Sequence, residues 1–172
     1  ANDLIEETDT YRLPTDEEWS HMVGCKDNDG TSPYERQRRR ATATSEYPWG
    51  RKWPPTNNTG NFADTSAIPA LRADHIIQNY HDDFSHTAPV GSFAPNALGI
   101  RDLAGNVQEW VSGEYGGPEN FHFRRYGVTR GGDYTSFRPG QLSSYSRTPH
   151  PVDTRRPTIG FRLVLERRVE QP

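Results

Sequence analysis

Apolar positions along this chain come in short bursts, and only a few of them keep a period. Thr15 is followed by Asp16, Glu17 and Glu18, then by Trp19, Met22 and Val23 at helical spacing. That is a helix start, with a hydroxyl N-cap and acids in the first turn; Pro14 fixes the approach and Gly24 ends the helix. Within residues 68–80, Leu71, His75, Ile76 and Tyr80 are near helical spacing and predict a second short helix. Residues 90–93 and 106–111 suit short strands or turns on a core, and residues 159–166 alternate enough to be a closing strand. Residues 26–46 have no apolar period and carry Arg36, Arg38, Arg39 and Arg40. They read as a solvated loop, the other reading being a site for an anionic partner. Residues 47–66 are dense in Pro, Gly and Asn, with Trp49 and Trp53 as anchors. With few ladder hydrogen bonds to use, such a stretch is ordered by aromatic packing and bound ions.

Composition narrows this picture. At 172 residues the chain fits one domain with a real core. Only 31% of residues are hydrophobic and mean hydropathy is -0.96, values that also fit a disordered chain. Against disorder stand 4 Trp, 8 Tyr and 7 Phe spread along the sequence, since disordered segments are poor in aromatics. With 15 Gly and 14 Pro the expected product is loop-rich, with little regular structure. A net charge of -3 gives no general pull toward nucleic acid or membrane, and no apolar run reaches the ~20 residues needed to cross a bilayer. Cys25 is the only cysteine, which forbids an intrachain disulfide or a multi-cysteine zinc site; it reads as a small, partly buried apolar residue. The six histidines show no paired ligand spacing. A phosphate-binding loop and a serine nucleophile elbow are both missing.

Two oxygen-rich segments stand out: Gly60-Asn61-Phe62-Ala63-Asp64 and His81-Asp82-Asp83-Phe84. A hard cation such as calcium takes roughly six to eight oxygens from carboxylates, amides and backbone carbonyls. Irregular segments carrying Asn and Asp can supply that set. Further on, residues 134–156 are rich in side chains suited to recognition: Tyr134, Phe137, Arg138, Tyr145, Arg147, His150, Arg155 and Arg156. Tyr and Arg are enriched at binding hot spots, and hydroxyls such as Thr135, Ser136 and Ser146 add adaptable hydrogen bonding. The ordinary alternative is a polar surface loop pinned by its aromatics.

The motifs Tyr11-Arg12-Leu13-Pro14-Thr15, Tyr47-Pro48-Trp49-Gly50, Ala88-Pro89-Val90-Gly91, Gly105-Asn106-Val107-Gln108-Glu109-Trp110, Arg130-Gly131-Gly132 and Gly160-Phe161-Arg162-Leu163 occur in that order. Together they resemble the formylglycine-generating enzyme (sulfatase-modifying factor) family over nearly the whole chain. The resemblance implies an α+β, C-type-lectin-like fold with few short strands, two helices and much irregular chain. It implies a single domain over residues 1–172, the C-terminal portion of the family domain without the segment that usually precedes it. Members of the family also occur fused to protein kinases and other signalling modules.

Family enzymes use copper and two cysteines placed soon after the Arg-Gly-Gly motif, and thiolates suit that soft metal. Ser136 and Gln141 stand at those positions. A hydroxyl and a neutral amide supply neither the copper ligands nor the thiol chemistry, so copper and catalysis are not expected. The family's calcium sites fall on Asn61, Phe62, Asp82 and Phe84, and on Asp102, Gly105, Val107 and Glu109, so calcium is the expected cofactor. Asp102 and Glu109 could instead cap turns and pair with Arg. The layout also resembles the variable proteins of diversity-generating retroelements, which display changeable residues between two fixed motifs. Trp110 and Phe161, inside the fixed motifs, are expected in the core. The leading expectation is a non-catalytic, calcium-stabilised domain that binds a protein or small ligand through Tyr134, Ser136, Phe137, Arg138, Tyr145, Arg147, His150 and Arg155. A family oxidoreductase with an altered metal site and a structural accessory domain are the alternatives.

Overall fold

The computed structural model describes residues 9–25, 31–39, 46–67, 73–116 and 125–167. Strand β1 (Thr10–Arg12) leads into helix α1 (Asp16–Met22). Its start is built as the sequence predicts. Thr15 Oγ1 accepts the Glu18 N–H at 3.1 Å, and the Glu18 carboxylate accepts the Thr15 N–H at 2.8 Å, closing a capping box. Arg12 then reaches Glu18 at 2.7 Å and Glu166 at 3.0 Å. The helix start is thus tied to the far end of the chain.

Helix α2 (Pro33–Arg39) corrects the reading of residues 26–46 as a solvated loop; residues 26–30 and 40–45 lie outside the described residues. Pro33 opens the helix with φ preset. The anchor is a charge rather than an apolar stripe. The Arg36 side chain is 4% exposed and pairs with Asp16 at 3.0 Å and with Glu17. A hydrophobic period could not have announced it. The second predicted helix is also corrected. Thr65–Ala67 form one 3₁₀ turn, residues 68–72, with Leu71, lie outside the described residues, and residues 73–80 are turns and irregular chain. Their hydrogen bonds go sideways: Ile77 N–H donates to Ala63 O at 2.7 Å, and the Tyr80 hydroxyl bridges the Gly60 backbone.

Strands β2 (Gln108–Val111), β3 (Tyr126–Arg130), β4 (Thr148–Pro151) and β5 (Ile159–Phe161) form a sheet in the order β4-β3-β2-β5. Only β2 and β5 run parallel. Helix α3 (Pro139–Leu142) sits between β3 and β4. The predicted closing strand is two strands: β5 ends at Phe161, and β6 (Val164–Glu166) pairs with β1 in a separate antiparallel ribbon. The break falls where Arg162 turns inward to Glu109.

Register assigns the faces, because residues opposite each other across a sheet share a side. Glu109 pairs with Arg130 and Val111 with Val128, facing inward; Trp110 pairs with Thr129 and Phe161, facing outward. Under the inner face lies an apolar cluster of Trp19, Leu103, Val111, Tyr115 and Val128. A second cluster gathers Tyr47, Phe62, Ile77, Tyr80, Ala104 and Leu142, with Trp49, Trp53 and Phe137 packed on it. Phe161 is not core: it is 65% exposed.

The low hydrophobic content is explained by a third, ionic centre. Asp16 receives Arg130, Arg147 at 2.9 Å and Arg36 at 3.0 Å, and the Arg130 and Arg147 side chains are wholly buried. Burial alone would raise the Asp16 pKa; Arg130 and Arg147 outweigh it and hold the carboxyl below its ordinary range. Arg130 also lies over the Trp19 ring at 4.3 Å.

Candidate functional site

The recognition segment divides into buried and open halves. Ser136 is 3% exposed; its Oγ accepts the Asp133 N–H at 3.1 Å and its carbonyl accepts the Ala63 N–H. Arg147 belongs to the Asp16 cluster. Tyr145 is 8% exposed with its hydroxyl donating to Glu46 at 2.7 Å. The structure corrects these three from contact residues to supports: their partners are charged groups and backbone far away in sequence. Gln141, at the family's second cysteine position, accepts the Phe137 N–H at 3.1 Å and the Arg138 N–H at 2.9 Å, capping α3. Tyr134 and Phe137 are half-buried, and Arg138, Arg155 and Arg156 are exposed. The Phe137 ring stacks on His75 at 5.1 Å and carries the Arg138 guanidinium at 5.1 Å.

His150 joins a different surface, the outer face of the sheet. Its ring meets Trp110 edge-on at 5.9 Å. Its Nε2 lies 3.3 Å from Gln108 Oε1, which also accepts the Thr129 hydroxyl at 2.6 Å, while Gln108 Nε2 donates to Asp133 at 2.6 Å. An amide oxygen only accepts, so His150 donates from Nε2. Burial, and then the Arg156 charge, depress the His150 pKa. Sequence reasoning missed Gln108, Trp110 and Phe161 here. The available signal was the alternation Gln108-Glu109-Trp110-Val111, which turns Gln108 and Trp110 to the side opposite Glu109.

Of the first calcium set, Asp82 is held by the backbone of Phe62 and Phe84. Phe62 N–H and Phe84 N–H donate to opposite oxygens of Asp82, at 2.8 and 2.9 Å. Asp64, fully buried, accepts the Asp82 N–H at 2.6 Å. Ser66 Oγ lies beside Asp64 Oδ1 and within 3.3 Å of Asp82 Oδ1 and 3.1 Å of the Phe84 carbonyl. One hydroxyl proton cannot satisfy three acceptors. Asn61 is fully buried and its Oδ1 has no partner. Burial, with Asp64 nearby, pushes the Asp82 pKa up to about 6. The cluster is oxygen-rich, and none of the contacts named here brings it a positive charge. Asp64 and Ser66 were not among the predicted ligands; Asp64 lies in the oxygen-rich segment around Asn61, and Ser66 just beyond it.

The second set differs. Asp102 accepts the Gly91 N–H through one oxygen, and its buried Oδ1 has no partner. Glu109 is already engaged by Trp19 Nε1 at 2.9 Å and by Arg162 Nε and Nη2 at 2.6 Å each. Arg162 also reaches the Asp102 carbonyl at 3.0 Å. Gly105, at φ +72, bridges to Asn61, and a Cβ there would stand 1.9 Å from the Asn61 carbonyl. That close approach requires glycine and holds the two sets side by side. Val107, beside Gly105 in sequence, is half-buried.

Against known proteins, the family model for the sulfatase-modifying factor enzyme 1-like domain matches residues 1–167. The formylglycine-generating enzyme of Thermomonospora curvata is 30% identical over 101 residues, 59% of this chain and 26% of that protein. The inactive C-alpha-formylglycine-generating enzyme 2 of Bos taurus is 28% identical over 156 residues, 88% of this chain and 42% of that protein. The crystal structure of CarF superposes with a TM-score of 0.51 at 25% identity, over 90% of this chain and 46% of that one. The chain spans less than half the length of each of these relatives. With its mixed strands, few helices and C-type-lectin-like architecture, the chain belongs to the sulfatase-modifying factor, or formylglycine-generating enzyme, family.

Proposed function

We propose that this domain binds a protein or small ligand without transforming it, and that calcium stiffens its irregular half. The observation that carries the first part is the state of the two positions where family enzymes resemble one another in cysteine. Ser136 is buried as a backbone acceptor and Gln141 caps α3. Both serve the fold, and neither offers a thiol. Cys25 does not replace them: it stands after α1 with its Sγ 3.8 Å from Ser144 O. Kinship with a relative named inactive supports the same reading. The recognition surface belongs to the exposed part of residues 134–156, anchored at one end by Arg130 and at the other by Arg162.

Support for calcium comes from the uncompensated oxygens. Asn61, Asp82 and the carbonyls of Phe62 and Phe84 would hold the ion in the first set, with Asp64 adding charge from behind. Asp102, Gly105, Val107 and Glu109 would hold a second ion less strongly, because Arg162 already neutralises Glu109. Bound calcium would supply the charge these carboxylates lack and fix the loops that carry them. Two titrations test the reading. Calcium should saturate the chelator-treated protein with a rise in melting temperature, while copper(I) should bind weakly and a sulfatase-type peptide should stay unoxidised by mass spectrometry. Stoichiometric copper(I) binding with peptide oxidation would reverse the conclusion and favour the oxidoreductase.

A further inference from the structure

An aromatic band crosses all four strands on the outer face of the sheet. Phe161 on β5 stands beside Trp110 on β2 in register. The indole lies over Gly127 on β3, where a Cβ would be 2.8 Å from the ring, and its edge meets His150 on β4. The polar groups beside the band are already matched. Gln108 joins Thr129, His150 and Asp133, and Thr135 takes the remaining oxygen of Asp133. The band therefore offers apolar area rather than unmet hydrogen bonds. Its exposed end is Phe161.

Two exposed arginines and one exposed acid stand beside this face. Arg155 and Arg156 precede β5, both exposed, and among the described residues neither side chain has an ion-pair or hydrogen-bond partner. Arg156 is near enough to His150 to perturb it. The acids close by are Asp133, buried and saturated, and Asp153, the one exposed acid of residues 134–161. A locally positive surface on a chain of net charge -3 selects its partner by sign.

We propose that this band and its arginine corner dock an acidic segment of a partner protein, an apolar side chain resting on Phe161 and Trp110 and carboxylates on Arg155 and Arg156. The guanidinium fork matches a carboxylate with two parallel N–H donors, and Trp and Arg are the residues that dominate interface energies. This inference rests on the reading of the chain as a binding domain and adds the chemistry of the partner.

The test is selection of phage-displayed random dodecapeptides on the calcium-loaded domain, followed by fluorescence anisotropy on the enriched peptides. Enriched peptides should be net acidic with an aromatic or aliphatic residue. Their affinity should fall about tenfold or more on the R155S/R156S variant and on Phe161→Ala, and the acid-to-amide peptides should bind about as weakly as the double variant binds the originals. Both variants should melt with the wild type, since neither position holds the fold. Acidic peptides that ignore R155S/R156S would overturn the proposal. So would neutral or basic peptides that depend on Phe161, although those would leave the binding-domain reading standing. A well-folded domain that enriches nothing would remove both.

Discussion

The two faces of the four-stranded sheet use neighbouring residues for opposite purposes. Inward, Glu109 and Arg130 are bound into a lattice that reaches Trp19, Asp16, Arg147 and Arg162. Outward, Trp110 packs over Gly127 and against His150, Thr129 is buried with its hydroxyl on Gln108, and Phe161 is open to solvent. The switch between them is one residue, because side chains alternate along a strand. Rigidity on one side is what allows the other to stay open: an aromatic band with one exposed end keeps its shape only if the strands beneath cannot shift. The inner lattice binds segments that are remote in sequence, since Asp16 and Arg147 are 131 residues apart. Its loss should be felt by the whole domain.

The largest effect should therefore come from Asp16→Ala. Removing the carboxylate leaves Arg130 and Arg147 buried with their charges uncompensated, a loss of about 3–5 kcal/mol. Domains carry only about 5–15 kcal/mol of stability, so the variant should unfold at far lower urea, or fail to accumulate folded. A midpoint close to that of the wild type would mean that the inner face is not the rigid one.

Calcium removal should come next. A ligand that binds only the native state adds about 2.7 kcal/mol at a hundredfold excess over its Kd. Chelation should thus lower the melting temperature, and Asp82→Asn should abolish most of that response while Phe161→Ala leaves it intact. Equal responses in both variants would place the ion elsewhere.

How much of this was legible depended on the range of each contact. The Thr15 cap was legible because its partners, Glu18 and the first turn, are three residues away. Helix α2 was not, since the group that seats it, Arg36, reaches Asp16 rather than presenting an apolar stripe. Arg147 read as a recognition residue because its neighbours are Tyr and Ser; nothing local revealed Asp16. Phe161 read as core because it lies inside a fixed motif, yet the motif does not say that the chain changes sheets at Arg162. The family motifs named Asn61 and Asp82 as candidate ligands, but the charge of Asp64 became evident only once its carboxylate was seen against the Asp82 backbone.

Strong acid should loosen Asp16 on the inner side and Glu18 at the start of α1. Asp16 has its carboxyl held below the usual value of about 3.9 by Arg130 and Arg147, against the effect of burial. Glu18 is held at about 2, chiefly by the Arg12 hydrogen bond. A depressed carboxyl stabilises above its unfolded pKa and loses that contribution as pH falls through the folded one. The melting temperature should then be insensitive to these groups above about pH 5 and fall between roughly pH 4 and 2. Glu18→Gln should flatten part of that fall. If the curve instead drops between pH 7 and 5, another group governs it.

The smallest stability effect should belong to the outer face, and there its smallness is the point. Phe161 is 65% exposed, so Phe161→Ala removes little buried area and should change stability by no more than about 0.5 kcal/mol. Trp110 is half-buried over Gly127 and against His150, so Trp110→Ala should cost more, on the order of 1–2 kcal/mol, without approaching Asp16→Ala. The order Asp16, Trp110, Phe161 follows depth beneath the outer surface. Binding should run the other way, with Phe161→Ala and Trp110→Ala each costing about 1–2 kcal/mol of affinity for a selected peptide. Urea melts and anisotropy on the same three variants read both scales. Stability and affinity losses that rise together would mean the sheet has no separable faces, and that the aromatic band is merely the rim of the core.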